Sequence, residues 1–123
     1  MKQLALVALG GMIGASLRYL ISLWTKHLYA GDFPYATLFI NVLGCFLIGL
    51  IYSNFSQTTS FDWMKTFVIT GILGGFTTFS SFSYEGISLL QSQKIMAAIT
   101  YIMLSNVLGL LAAYGGTFIQ ISK

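Results

Sequence analysis

Apolar positions run along this chain in four long stretches, separated by three short polar breaks that read "AGDFP", "SQTTS" and "QSQK". A helix rises 1.5 Å per residue, and crossing a bilayer's hydrocarbon core takes about 20 mostly apolar residues. Each stretch is long enough. The pattern predicts four transmembrane helices: Leu4 to Tyr29; Tyr35 to Phe55, after a turn on Gly31, Asp32 and Pro34; Phe61 to Leu90; and Ile95 to Ile119. The first apolar run extends well past the h-region of a signal peptide and more spans follow it, so it reads as a retained helix. Residues 1–123 are expected to form one all-α membrane domain, without repeats or tails.

Composition agrees with that pattern. Hydrophobic residues make up 56% and charged residues 7% of the 123 positions, against about 25% charged in an ordinary soluble domain. A mean hydropathy of +0.81 excludes a soluble enzyme. The single cysteine, Cys45, rules out an internal disulfide framework and a cysteine-based metal site. Six scattered basic residues give the net charge of +3, and none of them cluster as a nucleic-acid patch would.

With four spans, both termini share a face with the break between the second and third spans. That face carries Lys2, Lys65 and Lys123; the other carries Lys26, Lys94 and Arg18, if Arg18 reaches that way. Orientation normally follows a clear Lys/Arg excess on the cytoplasmic side, and here there is almost none. Such a chain can insert both ways, so that opposite copies pair as an antiparallel dimer, or a small bias can select one orientation.

Polar side chains inside the spans are the candidates for function, because in hydrocarbon they are costly and usually face protein or a water path. Arg18 lies past the middle of the first span; it can snorkel to the interface or attract anions in a vestibule. Gly10 and Gly14 form a small-xxx-small pair suited to close helix packing. Thr37, Asn41 and Cys45 share one stripe of the second span, and Tyr101, Ser105 and Gly109 share one of the fourth, with Asn106 beside it. Asn41 can be interhelical glue or an amide donor facing an ion path. The hydroxyls can donate to a small anion or bond to carbonyls of their own helices.

The third span contains the oddest stretch, "GILGGFTTFSSFSYEG". Gly74 and Gly75 weaken the helix, and Thr77 and Thr78 can satisfy the backbone groups so freed. A broken helix at membrane depth occurs only where protein or water covers the open backbone, and such breaks build ion sites. Thr77, Ser81 and Glu85 recur every four residues on one face; Phe79 and Phe82 lie on another. Ordinary packing accounts for the two rings, but a Phe ring is electropositive at its edge, and two edges aimed at an anion are a physically allowed binding device.

These residues carry a resemblance. Gly71 to Phe82 is similar to the pattern G-x-x-G-G-x-T-T-F-S-T-F of the Fluc (CrcB) family of fluoride channels, with Ser81 in place of Thr. "GGMIGASLRY" in the first span, "TLFINVLGCFLIG" in the second, with Ala36 where a Gly often precedes the Thr, and the Tyr101–Ser105 pair in the fourth extend the likeness to all four spans. The resemblance implies a dual-topology antiparallel homodimer in the cell inner membrane, holding two pores that export fluoride passively. It implies a buried structural Na⁺ at the dyad, bound by the backbone carbonyls of Gly74 and Thr77 from each subunit. Phe79 and Phe82 would line the pores and Asn41 would donate to fluoride. Thr37, Ser81, Tyr101 and Ser105 would belong to the polar track, Glu85 would lie near a pore mouth and Arg18 in a vestibule. A small dual-topology multidrug/proton antiporter is the alternative. It needs an embedded carboxylate, and apart from Asp62 at the very start of the third span, Glu85, near the end of that span, is the one acidic residue inside any span. A purely structural subunit, its polar groups acting as glue, is the third reading.

Overall fold

The computed structural model describes residues 1–55 and 61–119, which excludes the "SQTTS" break and Lys123. The described chain is helical. Helix α1 spans Lys2–Leu28 and α2 spans Tyr35–Phe55. The third span is in two pieces: α3 covers 61–76, with π-helical turns over Lys65–Leu73, and α4 covers Phe79–Gln91. Helix α5 spans Ile95–Thr117. Four segments are long and apolar enough to cross a membrane: Lys2–Leu28, Tyr35–Phe55, Asp62–Gln91 and Ile95–Thr117.

Glycines set how the spans meet. A Cβ added at Gly10 or Gly14 would collide with the carbonyls of Phe67 and Ile72, so α1 lies directly against the π-helical turns of α3. A Cβ at Gly49 or Gly116 would collide with the carbonyls of Ala113 and Phe46, so α2 and α5 touch backbone to backbone. Small residues make this approach possible where lipid offers no hydrophobic gain for burying larger ones. Two tightly joined pairs result, α1 with α3 and α2 with α5.

At one end, Lys94 pairs with Asp32, joining the α1–α2 loop to the start of α5. Phe33 from that loop packs with Leu38, Phe82 and Ala97 around a buried cluster of Leu89, Ala98 and Tyr101. At the other end, the Asn54 amide donates to the Ile119 carbonyl at 2.6 Å. Large apolar side chains cover the outside, among them Leu110 at 74% and Met96 at 75% exposure, as lipid-facing helices require.

Candidate functional site

The non-helical residues of the third span are Thr77 (φ −76°, ψ 157°) and Thr78 (φ −150°, ψ 117°), both extended. Gly74 and Gly75, expected to weaken the helix, are themselves helical. Gly75 is needed for space instead: a Cβ there would stand 2.7 Å from the Gly11 carbonyl oxygen.

Two residues stabilise the extended pair. Asn41 on α2 clamps Thr78 from both sides of its amide: Nδ2 donates to the Thr78 carbonyl at 3.0 Å, and Oδ1 accepts from the Thr78 N–H at 2.8 Å. Thr78 in turn caps α4, its Oγ1 accepting from the Ser81 N–H at 3.2 Å and donating to Ser81 Oγ at 3.1 Å. Such a cap satisfies an N–H with no partner inside its own helix. Thr77 folds back, its Oγ1 and N–H both donating to the Leu73 carbonyl at 2.9 Å.

This capping has a consequence for the carbonyls. In an unbroken helix the N–H groups of Thr78 and Ser81 would return to the carbonyls of Gly74 and Thr77. They donate to Asn41 and Thr78 instead. The carbonyls of Gly74 and Thr77 are therefore released from the helical ladder together.

Thr78 also separates two cavities, being the residue common to both linings. The smaller, of about 360 Å³, is bounded by Asn41, Cys45, Phe79, Phe82, Ser105 and Asn106, with Gly74 and Thr77 at its edge. The two rings lie 5.6 Å apart between centroids, tilted by 43°. Phe79 is 79% exposed although it lines the cavity, so this wall is open in the single chain. Ser105 Oγ is buried and makes no hydrogen bond among the described residues, whereas Asn106 bonds back to Ile102 of its own helix. One of the two Asn41 N–H donors is spent on Thr78, and a second remains.

The larger cavity, of about 560 Å³, is bounded by Arg18, Lys26, Thr37, Ser81 and Glu85, and by Asp32 and Phe33 of the α1–α2 loop. Glu85 is held at both oxygens: Thr37 Oγ1 donates to Oε1 at 2.8 Å, and the fully buried Tyr101 hydroxyl donates to Oε2 at 2.7 Å. The Tyr101 ring lies between Phe33, at 5.7 Å, and Phe82, at 5.4 Å.

The structure thus distributes the candidate residues over two chambers. Asn41, Phe79, Phe82 and Ser105 meet in the smaller, and Arg18, Thr37, Ser81 and Glu85 in the larger; Tyr101 joins them through Phe82 and Glu85. Thr77 does not continue the face of Ser81 and Glu85. The extended backbone resets the helical period, leaving Thr77 on the smaller cavity and the other two on the larger. The pairing of Thr37 and Tyr101 on one carboxylate was not expected.

A family model described as "CrcB-like protein, Camphor Resistance (CrcB)" matches residues 5–117, which include every residue of both cavities. The chain belongs to the CrcB family. Relatives named "Fluoride-specific ion channel FluC" agree with this membership. One from Flavobacterium psychrophilum is 46% identical over 120 residues, covering 97% of each chain. One from Agrobacterium fabrum is 41% identical over 117 residues, 94% of each chain. One from Clostridium perfringens is 51% identical over 102 residues, 81% of this chain and 79% of its own. This CrcB chain is a multi-pass integral membrane protein, and the family is one of ion channels rather than enzymes. Membership sets the antiporter reading aside.

Proposed function

We propose that the chain forms a fluoride-selective channel that lets fluoride leave the cell passively and so limits its toxicity. The observation that carries the reading is the smaller cavity. It places the unpartnered Ser105 hydroxyl, an Asn41 amide and the rings of Phe79 and Phe82 around one space, without a charged side chain among its lining residues. Fluoride is small and strongly hydrated, so dehydrating it is expensive unless dense donors replace its water. Hydroxyl, amide and ring-edge groups offer partial positive charge without a full countercharge that would trap the ion. HF crosses bilayers and ionises inside, and a passive path lets the trapped anion out. The names of the relatives support the same ion.

The working unit in this proposal is an antiparallel homodimer in the cell inner membrane. The open wall at Phe79 supports it, since a second copy would close the cavity. The near absence of Lys/Arg bias supports it too. In the dimer a structural Na⁺ would be held at the dyad by the carbonyls of Gly74 and Thr77. These carbonyls fit that role because capping of Thr78 and Ser81 releases them from their helical partners, and carbonyl oxygen suits a hard cation. Arg18 and Lys26 in the larger cavity would draw the anion toward the pore.

The test is efflux from liposomes loaded with fluoride or with chloride and carrying the purified protein. Rapid loss of fluoride with chloride retained is expected. Retention of both ions would end this proposal.

A further inference from the structure

The α1–α2 loop lines the larger cavity, with Asp32 and Phe33 among the lining residues. Two contacts tie this loop down. Outside, Asp32 pairs with Lys94, the residue just before α5. Inside, the ring of Phe33 meets that of Tyr101, on the same helix, at 5.7 Å and 80°, an edge-to-face contact. Tyr101 is fully buried and touches a lining residue of each chamber: its hydroxyl holds Glu85 at 2.7 Å, and its ring lies 5.4 Å from that of Phe82. We propose that residues 31–34 are a strap whose Phe33 ring positions Tyr101, and through it Glu85 and Phe82, with the Asp32–Lys94 pair as its outer clasp.

The chemistry favours a positioning role over a merely structural one. Phe33 lines the larger cavity and packs against the buried Tyr101 ring. A tyrosine with one side unpacked can swing about χ1 and χ2, which breaks its bond to Glu85 and moves a wall of the Phe82 pocket. The clasp acts on the same ring because it ties the loop that carries Phe33 to the residue just before α5, two turns ahead of Tyr101. Its charges are solvent-exposed, at 45% and 71%, so its share is smaller than that of Phe33.

The experiment pairs two readouts on the full-length protein: fluoride efflux from liposomes, and the ring resonances of labelled tyrosine, with Tyr101 assigned by Tyr101→Phe. Ring position is read from nuclear Overhauser contacts between the rings of Tyr101 and Phe82, the latter labelled as well, because these depend on where the Tyr101 ring sits and not on the Phe33 ring current. Variants are compared only when they elute as wild type in gel filtration. Phe33→Leu is expected to weaken the Tyr101–Phe82 contacts and to slow efflux by about two- to tenfold, the range set by loss of an aromatic pair. Phe33→Tyr keeps a ring and is expected to restore both. Asp32→Asn or Lys94→Gln is expected to slow efflux by up to about fivefold, the ceiling for an exposed pair. The charge-reversed double variant Asp32→Lys/Lys94→Asp is expected to recover the wild-type rate. Unchanged Tyr101–Phe82 contacts in Phe33→Leu overturn the strap, whatever the flux does, and failure of the double variant to recover overturns the clasp. The flux arm rests on the fluoride-channel reading and the resonance arm does not. Wild-type protein that passes no fluoride, with Tyr101–Phe82 contacts that Phe33→Leu still weakens, therefore refutes that reading and leaves the strap supported.

Discussion

Replacing Asn41 with leucine removes both hydrogen bonds that hold Thr78 extended, at 2.8 and 3.0 Å. Thr78 is 8% exposed, so removing the Asn41 side chain leaves its buried N–H without a protein partner. Stranding one buried donor costs about 1–3 kcal/mol, and losing the net value of the second bond adds about 0.5–1.5 kcal/mol. The sum is about 1.5–4.5 kcal/mol, large against the about 5–15 kcal/mol by which proteins are usually stable. The comparison variant is Asn106→Leu, whose amide bonds only to Ile102 of its own helix at 2.7 Å and is exposed. Changes at such positions usually stay within about 0.5 kcal/mol. The assay is reversible unfolding of both variants in mixed micelles, followed by circular dichroism. Asn41→Leu should lower the unfolding midpoint well beyond Asn106→Leu, and its remaining folded fraction should lose fluoride flux as the Thr78 backbone shifts. Equal midpoints for the two variants would refute the clamp, and Asn41 would then act through its free N–H alone.

Three further outcomes follow from the geometry. Phe79→Leu and Phe82→Leu should each cut fluoride efflux sharply while costing under about 1.5 kcal/mol of stability, and Leu110→Met, at a position 74% exposed on the outside of α5, should leave efflux unchanged; wild-type rates in both Phe variants would return the rings to simple packing. Gly49→Val should fail to bring α2 against α5, because a side chain there meets the Ala113 carbonyl, and overpacking of this kind costs about 1–3 kcal/mol or more; a wild-type unfolding midpoint would show that the contact is not tight. Fluoride should run down its gradient at equal pH on both sides, because the smaller cavity is lined by no carboxylate to carry a proton; strict dependence on an imposed pH difference would point to exchange.

The four spans were legible because bilayer thickness fixes their length and each polar break is unambiguous. The ends of the second span, Tyr35 and Phe55, coincide between sequence and structure, and the start of the fourth, Ile95, does as well. The position of the extended residues was less legible. Gly74 and Gly75 drew attention by their propensity, but the backbone opens at Thr77 and Thr78, where Asn41, 37 residues earlier, supplies replacement partners. A cross-helix bond leaves no local mark. For the same reason Thr37, Tyr101 and Glu85 could each be singled out while their shared contact could not. Helical periodicity says which residues of one helix share a face, and it is silent about which face of another helix lies opposite. Thr77, Ser81 and Glu85 show the further limit of that reasoning, since two extended residues are enough to reset the period.

The central claim is that the polar cavity conducts fluoride and rejects chloride, and the reversal potential in a planar bilayer tests it most directly. With fluoride tenfold higher on one side and chloride equal, current through the protein should reverse about 59 mV from zero, as for any perfectly selective monovalent ion. Exchanging chloride on either side should not move it. A reversal potential that follows chloride, or that follows the pH difference instead of fluoride, would contradict the account.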